Sequence, residues 1–110
     1  MSKKIIVFGS GAFGSLVLNI IHYLDELKIV AFADDNLQKI GKKIDRIPIY
    51  SQDSVVKFAE EKNINSIICA IGNNVHRSNK YNFFVDHNFD LLTIRHPNSM
   101  IDKKVKIGKN

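Results

Sequence analysis

The run Lys4-Ile5-Ile6-Val7-Phe8 passes directly into Gly9-Ser10-Gly11-Ala12-Phe13-Gly14, and apolar residues at helical spacing follow at once. A G-x-G-x-x-G held between a strand and a helix constrains this chain more than any other feature. Glycines at these positions allow a sharp turn and let backbone N–H groups approach a ligand with no Cβ in the way. They also let the helix pack close to the strand. The helix directs its partly positive N-terminus at the space over the loop, where an anion such as a pyrophosphate is the expected guest.

Phe13, Leu16, Val17, Ile20, Ile21 and Leu24 are spaced by three and four, which predicts a helix over 13–24 with one apolar face. Lys28 to Ala33 reads as a second buried strand, ended by the acidic pair Asp34-Asp35. Strand, crossover helix and strand make a right-handed βαβ unit with parallel strands. Residues 36–47 are polar and basic around Gly41 and predict a loop, open to two readings: a cover for a ligand or a surface excursion. Ile47 to Tyr50 is a short extended piece, because Pro48 disfavours helix at Ile47 and has no N–H to donate.

Ser51 is the expected N-cap of a helix running to Lys62, with Asp53 complementing the dipole and Val55, Val56 and Ala59 buried, Phe58 contributing. Asn65 to Ile71 is apolar on both faces and predicts a central strand that stops at Gly72-Asn73-Asn74. A third helix, to Asn88, carries Val75, Tyr81, Phe84 and Val85 inward with Phe83 at the edge of the stripe. Phe89 to Ile94 is the last strand before a turn at His96-Pro97-Asn98. Alternating strands and helices without period-two patterning predict an α/β, Rossmann-like open parallel sheet with helices on both faces. Such sheets bind ligands outside the carboxyl ends of their strands. The loops at Gly9 to Gly14, at Asp34-Asp35 and at Gly72 to Asn74 converge there.

The 110 residues fit one domain, and 45% hydrophobic residues suffice for a core. No early apolar run is long enough for a secretory or membrane segment, so a cytoplasmic address and no membrane partner are expected. The net charge is +5, but +3 of it lies in residues 101–110, which leaves the body without a basic surface and argues against nucleic acid. Cys69 reads as a small buried residue, and no metal site is expected, since no cysteine or histidine stands at ligand spacing from it.

Ile101 and Ile107 stand six apart with Gly108 directly after, the pattern that opens a hexapeptide-repeat β-helix. Taken in order, the glycine loop, the Asp-Asp pair, Ala70-Ile71-Gly72-Asn73-Asn74-Val75-His76-Arg77 and Ile94-Arg95-His96-Pro97-Asn98-Ser99 leading into Val105 to Asn110 resemble one family. It is that of the left-handed β-helix nucleotide-sugar acetyltransferases, which includes UDP-amino-sugar N-acetyltransferases and sialic-acid O-acetyltransferases. The resemblance covers the whole chain but only the N-terminal part of such a protein. It implies a Rossmann-like nucleotide-sugar-binding domain over 1–96 and the incomplete start of a β-helix over 97–110.

In that family the N-terminal domain holds a UDP-sugar or related acceptor, while the β-helix builds trimers, binds acetyl-CoA and supplies the catalytic histidine. The resemblance implies substrate contacts from Gly9, Ser10, Gly11, Ala12, Phe13 and Gly14 near the phosphates. It places Asp34 and Asp35 by the nucleoside, with Gly72, Asn73, Asn74 and Arg77 on the opposite wall. The family often has histidine where this chain has Phe13. No catalytic residue is expected here, since His22, His76, His87 and His96 do not match the family's base. The chain alone is expected to bind and not catalyse, to hold no cofactor, and to be monomeric, with acetyl-CoA the co-substrate of a trimeric full-length protein. Two rival readings stand beside this one. Asp34 lies twenty residues past Gly14, where an NAD(P)-binding module has its ribose-binding acid. A stand-alone regulatory nucleotide-binding domain is the other.

Overall fold

The computed structural model describes residues 3–22, 26–69, 74–95 and 106–109. Its strands are β1 (Lys3–Phe8), β2 (Leu27–Ala33), β3 (Lys43–Ile44), β4 (Ile47–Tyr50), β5 (Ser66–Cys69), β6 (Asp90–Arg95) and β7 (Lys106–Lys109). The helices are α1 (Ala12–His22), α2 (Gln52–Lys62) and α3 (Asn74–Asp86). The strands form one sheet in the order β3-β4-β2-β1-β5-β6-β7. The five inner strands are parallel, and β3 and β7 close the two edges antiparallel. This is the expected Rossmann-like architecture. From β1 the chain first moves towards β2 and β4, then returns to the other side of β1 through α2. The order therefore reverses between β1 and β5, where an open α/β sheet forms its crevice.

Helices lie on both faces, as the unbroken apolar strands require. Val17 and Ile21 of α1 pack on Ile5, Val7, Ile29, Phe32, Ile49, Ile68 and Leu92. On the opposite face Val55 and Ala59 of α2 and Phe84 of α3 cover Ile6, Phe8, Ala31, Ala33, Ile67, Cys69 and Leu91. A bulge in β2 shifts the pairing from Ile5↔Ile29 to Ile6↔Ala31 and inverts the alternation of the residues beyond it. Phe32 thereby faces α1, and Ala33 faces α2 and α3. Continued past the strand end, that alternation leads Asp34 to the α1 side and Asp35 to the α3 side.

Local signals explain the helix limits. The Ser51 hydroxyl accepts from the Ser54 N–H at 3.2 Å at the start of α2. At its end Asn63 takes a left-handed φ of 57°, and the Ile64 N–H reaches back to the Ala59 carbonyl at 2.9 Å. Asn88, with φ 65°, ends α3 in the same way through Phe89 N–H and the Phe84 carbonyl.

Three sequence expectations need correction, and a fourth is not shown. The segment expected to be a loop over 36–47 contains β3, joined to β4 by a two-residue hairpin turn with Asp45 and Arg46 at φ 49° and 70°. That turn is the tight mirror-image type but lacks the usual Asn-Gly signal. Val85 is 53% exposed, whereas Phe83 is partly buried, so the inward stripe of α3 sits about one residue earlier than expected. Leu16, expected on the buried face of α1, is 44% exposed. The β-helix start expected over 97–110 is not shown: residues 97–105 and 110 lie outside the described part, and 106–109 pair with β6 as a sheet edge.

Candidate functional site

Phe8 pairs with Ala33 on one side and with Cys69 on the other, so β1, β2 and β5 end level with one another. The loops that leave these strands must start side by side. The Gly9 N–H donates to the Ala33 carbonyl at 2.7 Å, and Gly9 has φ 105°, a backbone that favours glycine strongly. Gly14 is required for a different reason. A Cβ there would lie 2.1 Å from the Gly9 carbonyl oxygen, so only glycine lets α1 sit this close to the loop. Gly11 has neither constraint; the nearest atom to its would-be Cβ is the Lys39 ammonium at 3.5 Å.

The two acids at the end of β2 have separate partners. Asp34 Oδ2 accepts from the Ser10 N–H at 2.9 Å and from the Ser10 hydroxyl at 2.5 Å, and Oδ1 accepts from the Asn36 N–H at 2.9 Å. Burial pushes the Asp34 carboxyl up. The bonds from Ser10 and Asn36 and the charge of Lys39 outweigh that push and hold it below its ordinary value. The resemblance implied that the Ser10 amide meets a phosphate, yet here that amide is engaged by Asp34.

Asp35 is tied to the other wall. Its Oδ2 lies 2.8 Å from the Lys80 ammonium, whose side chain is only 13% exposed. Lys80 also donates to Gln52 Oε1 at 2.5 Å and lies 4.7 Å from the centre of the Phe8 ring. One ammonium thus joins the ends of β1 and β2 to the first residue of α2 and to α3.

Of the expected site residues, the structure brings Gly9, Ser10, Gly11, Gly14, Asp34 and Asp35 to one rim, with the Ala12 and Phe13 backbone opening α1. Asn74 is the first residue of α3 and Arg77 lies one turn further, but their side chains fall outside the described part, as do Gly72 and Asn73. Sequence reasoning missed Lys39 and Lys80. Their only signal was basic character, in a segment read as a loop and on a helix read for its apolar stripe. These two cations stand beside the acidic pair and reduce the repulsion that Asp34 and Asp35 would exert on an anionic guest. The starts of α1 and α3 add donors and a favourable dipole on either side of β1.

A further cavity of about 410 Å³ lies at the other end of the strands, lined by Glu60, Asn63, Asn65, His87 and Asn88 among others, and holds none of the expected residues. Among the described residues no group of acidic, histidine or cysteine side chains could hold a metal, and no helix is long and apolar enough to cross a membrane.

A family model described as the PglD N-terminal domain matches residues 4–84. Comparison with curated proteins finds no match. Among solved structures, UDP-D-quinovosamine 4-dehydrogenase from Vibrio fischeri superposes with a TM-score of 0.82 at 18% identity, covering 100% of this chain and 94% of that one. The H141N mutant of perosamine N-acetyltransferase from Caulobacter crescentus, in complex with CoA and GDP-perosamine, gives 0.68 at 20% identity. That match covers 80% of this chain and 40% of the acetyltransferase. RSP, a Rex-family repressor, gives 0.67 at 18% identity over 82% of this chain and 44% of its own, and RSP in complex with β-NAD+ and operator DNA is similar as well. At these identities the likenesses speak for the fold.

Proposed function

We propose, from the premise that this chain belongs to the PglD N-terminal domain family, that it is a nucleotide-sugar-binding domain whose ligand is a UDP-sugar. The ligand would lie across the carboxyl ends of β1, β2 and β5, with its phosphates over the glycine loop and its nucleoside by the end of β2. Gly9, Ser10, Gly11, Ala12, Phe13 and Gly14 form one wall of this site. Asp34 and Asp35 form its rim, and the resemblance assigns Gly72, Asn73, Asn74 and Arg77 to the opposite wall.

The observation that carries this reading is the commitment of Asp34. An NAD(P)-binding module needs an acid here that is free to take the ribose hydroxyls. Asp34 instead accepts three hydrogen bonds from Ser10 and Asn36. Likeness to the Rex-family repressor keeps the NAD(P) module as the second reading.

The chain spans 40% of the length of the perosamine N-acetyltransferase. In a protein of that plan, this domain would position the acceptor while acetyl-CoA, a general base and the trimer interface belong to a β-helix. The base would take a proton from the acceptor amine or hydroxyl as that group attacks the thioester carbonyl, with free CoA leaving. Surface-glycan biosynthesis in the cytoplasm is the setting that suits such chemistry.

Isothermal titration with UDP-N-acetylglucosamine, a UDP-4-amino-sugar, UDP, NAD and NADP tests the proposal. Saturable binding of the uridine compounds with silent NAD and NADP is expected. Binding of NAD or NADP alone would overturn it in favour of the dinucleotide module.

A further inference from the structure

The glycine loop is one donor short of what a diphosphate asks of it. Its Ser10 N–H is held by Asp34 at 2.9 Å, and the same carboxylate sets a negative charge beside the place where phosphates would lie. A cation on this side of the crevice must restore both a donor and a positive charge. Lys80 does not, since its ammonium serves Asp35 and Gln52.

Lys39 stands where that cation is needed. Its Nζ lies 3.5 Å from the point that a Cβ on Gly11 would occupy. It acts on Asp34 through its charge, and the Asp34 oxygens already accept from Ser10 and Asn36. The three donors of the ammonium are therefore left for an acceptor above the loop. A phosphate oxygen beside Gly11 can accept from the loop backbone and from this ammonium together, the second being the charge-assisted bond that lysine makes to phosphate.

The backbone that carries Lys39 is fixed before any ligand arrives. The Asn36 N–H donates to Asp34 Oδ1 at 2.9 Å, and the Asn36 carbonyl accepts from the Lys39 N–H at 2.9 Å. Beyond Lys39, the Gly41 N–H reaches the Ile49 carbonyl and the Ile49 N–H reaches the Lys42 carbonyl, both at 2.9 Å. The segment is thus tied to the end of β2 on one side and to β4 on the other. Binding then has little backbone left to order, which is how preorganisation raises affinity.

We propose that Lys39 is a binding residue of this site, the cation that meets the diphosphate of the nucleotide sugar over the glycine loop, and that residues 36–42 hold it there. This inference rests on the nucleotide-sugar reading above and adds a contact from outside the loops expected to form the site.

The test is titration of the wild-type chain, Lys39→Met, Lys39→Arg and Lys42→Met with UDP, UDP-N-acetylglucosamine, uridine and NADP, alongside thermal unfolding of each. Lys39→Met should weaken UDP by about tenfold or more, as expected for losing a hydrogen bond to a charged group, while uridine binds as it does to wild type. Lys39→Arg should keep most of the affinity. Lys42→Met removes the same charge from an exposed position in the same segment and should leave UDP binding unchanged, which separates a local contact from the overall field. Should the methionine variant not fold, Lys39→Gln removes the charge while keeping a polar side chain. An unchanged ratio of UDP to uridine affinity in a folded Lys39→Met or Lys39→Gln protein, or an equal loss of UDP binding in Lys42→Met, would overturn the inference while leaving the nucleotide-sugar reading intact. A loss confined to NADP would overturn it as well, by assigning Lys39 to a ribose phosphate. Failure of the wild type to bind any uridine compound would remove both.

Discussion

The two walls of the crevice are held by different physics. Around the glycine loop the fixings are backbone and short range: a left-handed Gly9, a Gly14 that lets α1 touch the loop, and a carboxylate that binds Ser10 and Asn36. Towards α3 the fixing is a buried charge, with Lys80 drawing Asp35, Gln52 and Phe8 together. A backbone wall is stiff and fails only when something is forced into it. A charge-held wall fails when one partner is removed, because the remaining charge keeps its desolvation cost.

The sharpest way to break this contrast is Gly14→Ala. The added methyl meets a backbone carbonyl, which cannot swing aside as a side-chain tip could. A loss of about 3 kcal/mol in unfolding free energy is expected, at the upper end of ordinary overpacking, read as a lower urea midpoint. An unchanged midpoint would mean that α1 slides freely on β1 and that the backbone wall is not rigid.

Asp35→Ala probes the other wall. It leaves the Lys80 ammonium largely buried with one of its two oxygen partners gone, and should cost about 1–2 kcal/mol. Lys80→Met should cost less, since Asp35 is half exposed and can be rehydrated. Equal losses in the two variants would show that the pair is screened like a surface ion pair and holds nothing together.

How much of this could be read in advance follows the same division. The glycine loop, the strand ends at Phe8 and Ala33 and the Ser51 cap were legible, because each depends on neighbours a few residues away. Lys80 was not, because its partner Gln52 is 28 residues off and meets it only once the sheet is assembled. The Asp45-Arg46 hairpin escaped because only Asp45 is a residue type that favours a left-handed backbone, and at Arg46, where glycine is usual, strand pairing overrode the preference. Val85 was misassigned by one position on a helix with a weak stripe, where Phe83 and Phe84 compete for the same core. The separate aims of Asp34 and Asp35 depend on the bulge in β2, which nothing in the run Leu27 to Ala33 signals.

A smaller effect is expected from acid. The Asp34 carboxyl titrates below its ordinary value of 3.8 in the folded chain. The unfolded chain therefore takes up the proton first as pH falls, so this group's contribution is full well above that value and is lost as pH drops through the folded one. Asp34→Asn should remove part of the stability loss seen between about pH 5 and about pH 3, by less than Asp35→Ala costs at neutral pH. An acid profile identical to wild type would mean that the bonds from Ser10 do not favour the charged form.

The mildest substitution, Gly11→Ala, separates the fold from the site most cleanly. Gly11 is in the same motif as Gly14, yet its added methyl would meet only the tip of the Lys39 side chain, at an ordinary contact distance of 3.5 Å. Stability should therefore stay within about 0.5 kcal/mol of wild type. If the phosphates of a nucleotide sugar rest over the loop, the same methyl stands in their way, and affinity for UDP should fall while the unfolding midpoint holds. If affinity holds as well, the backbone wall shapes the sheet end without touching the ligand, and recognition must come from the charge-held wall alone.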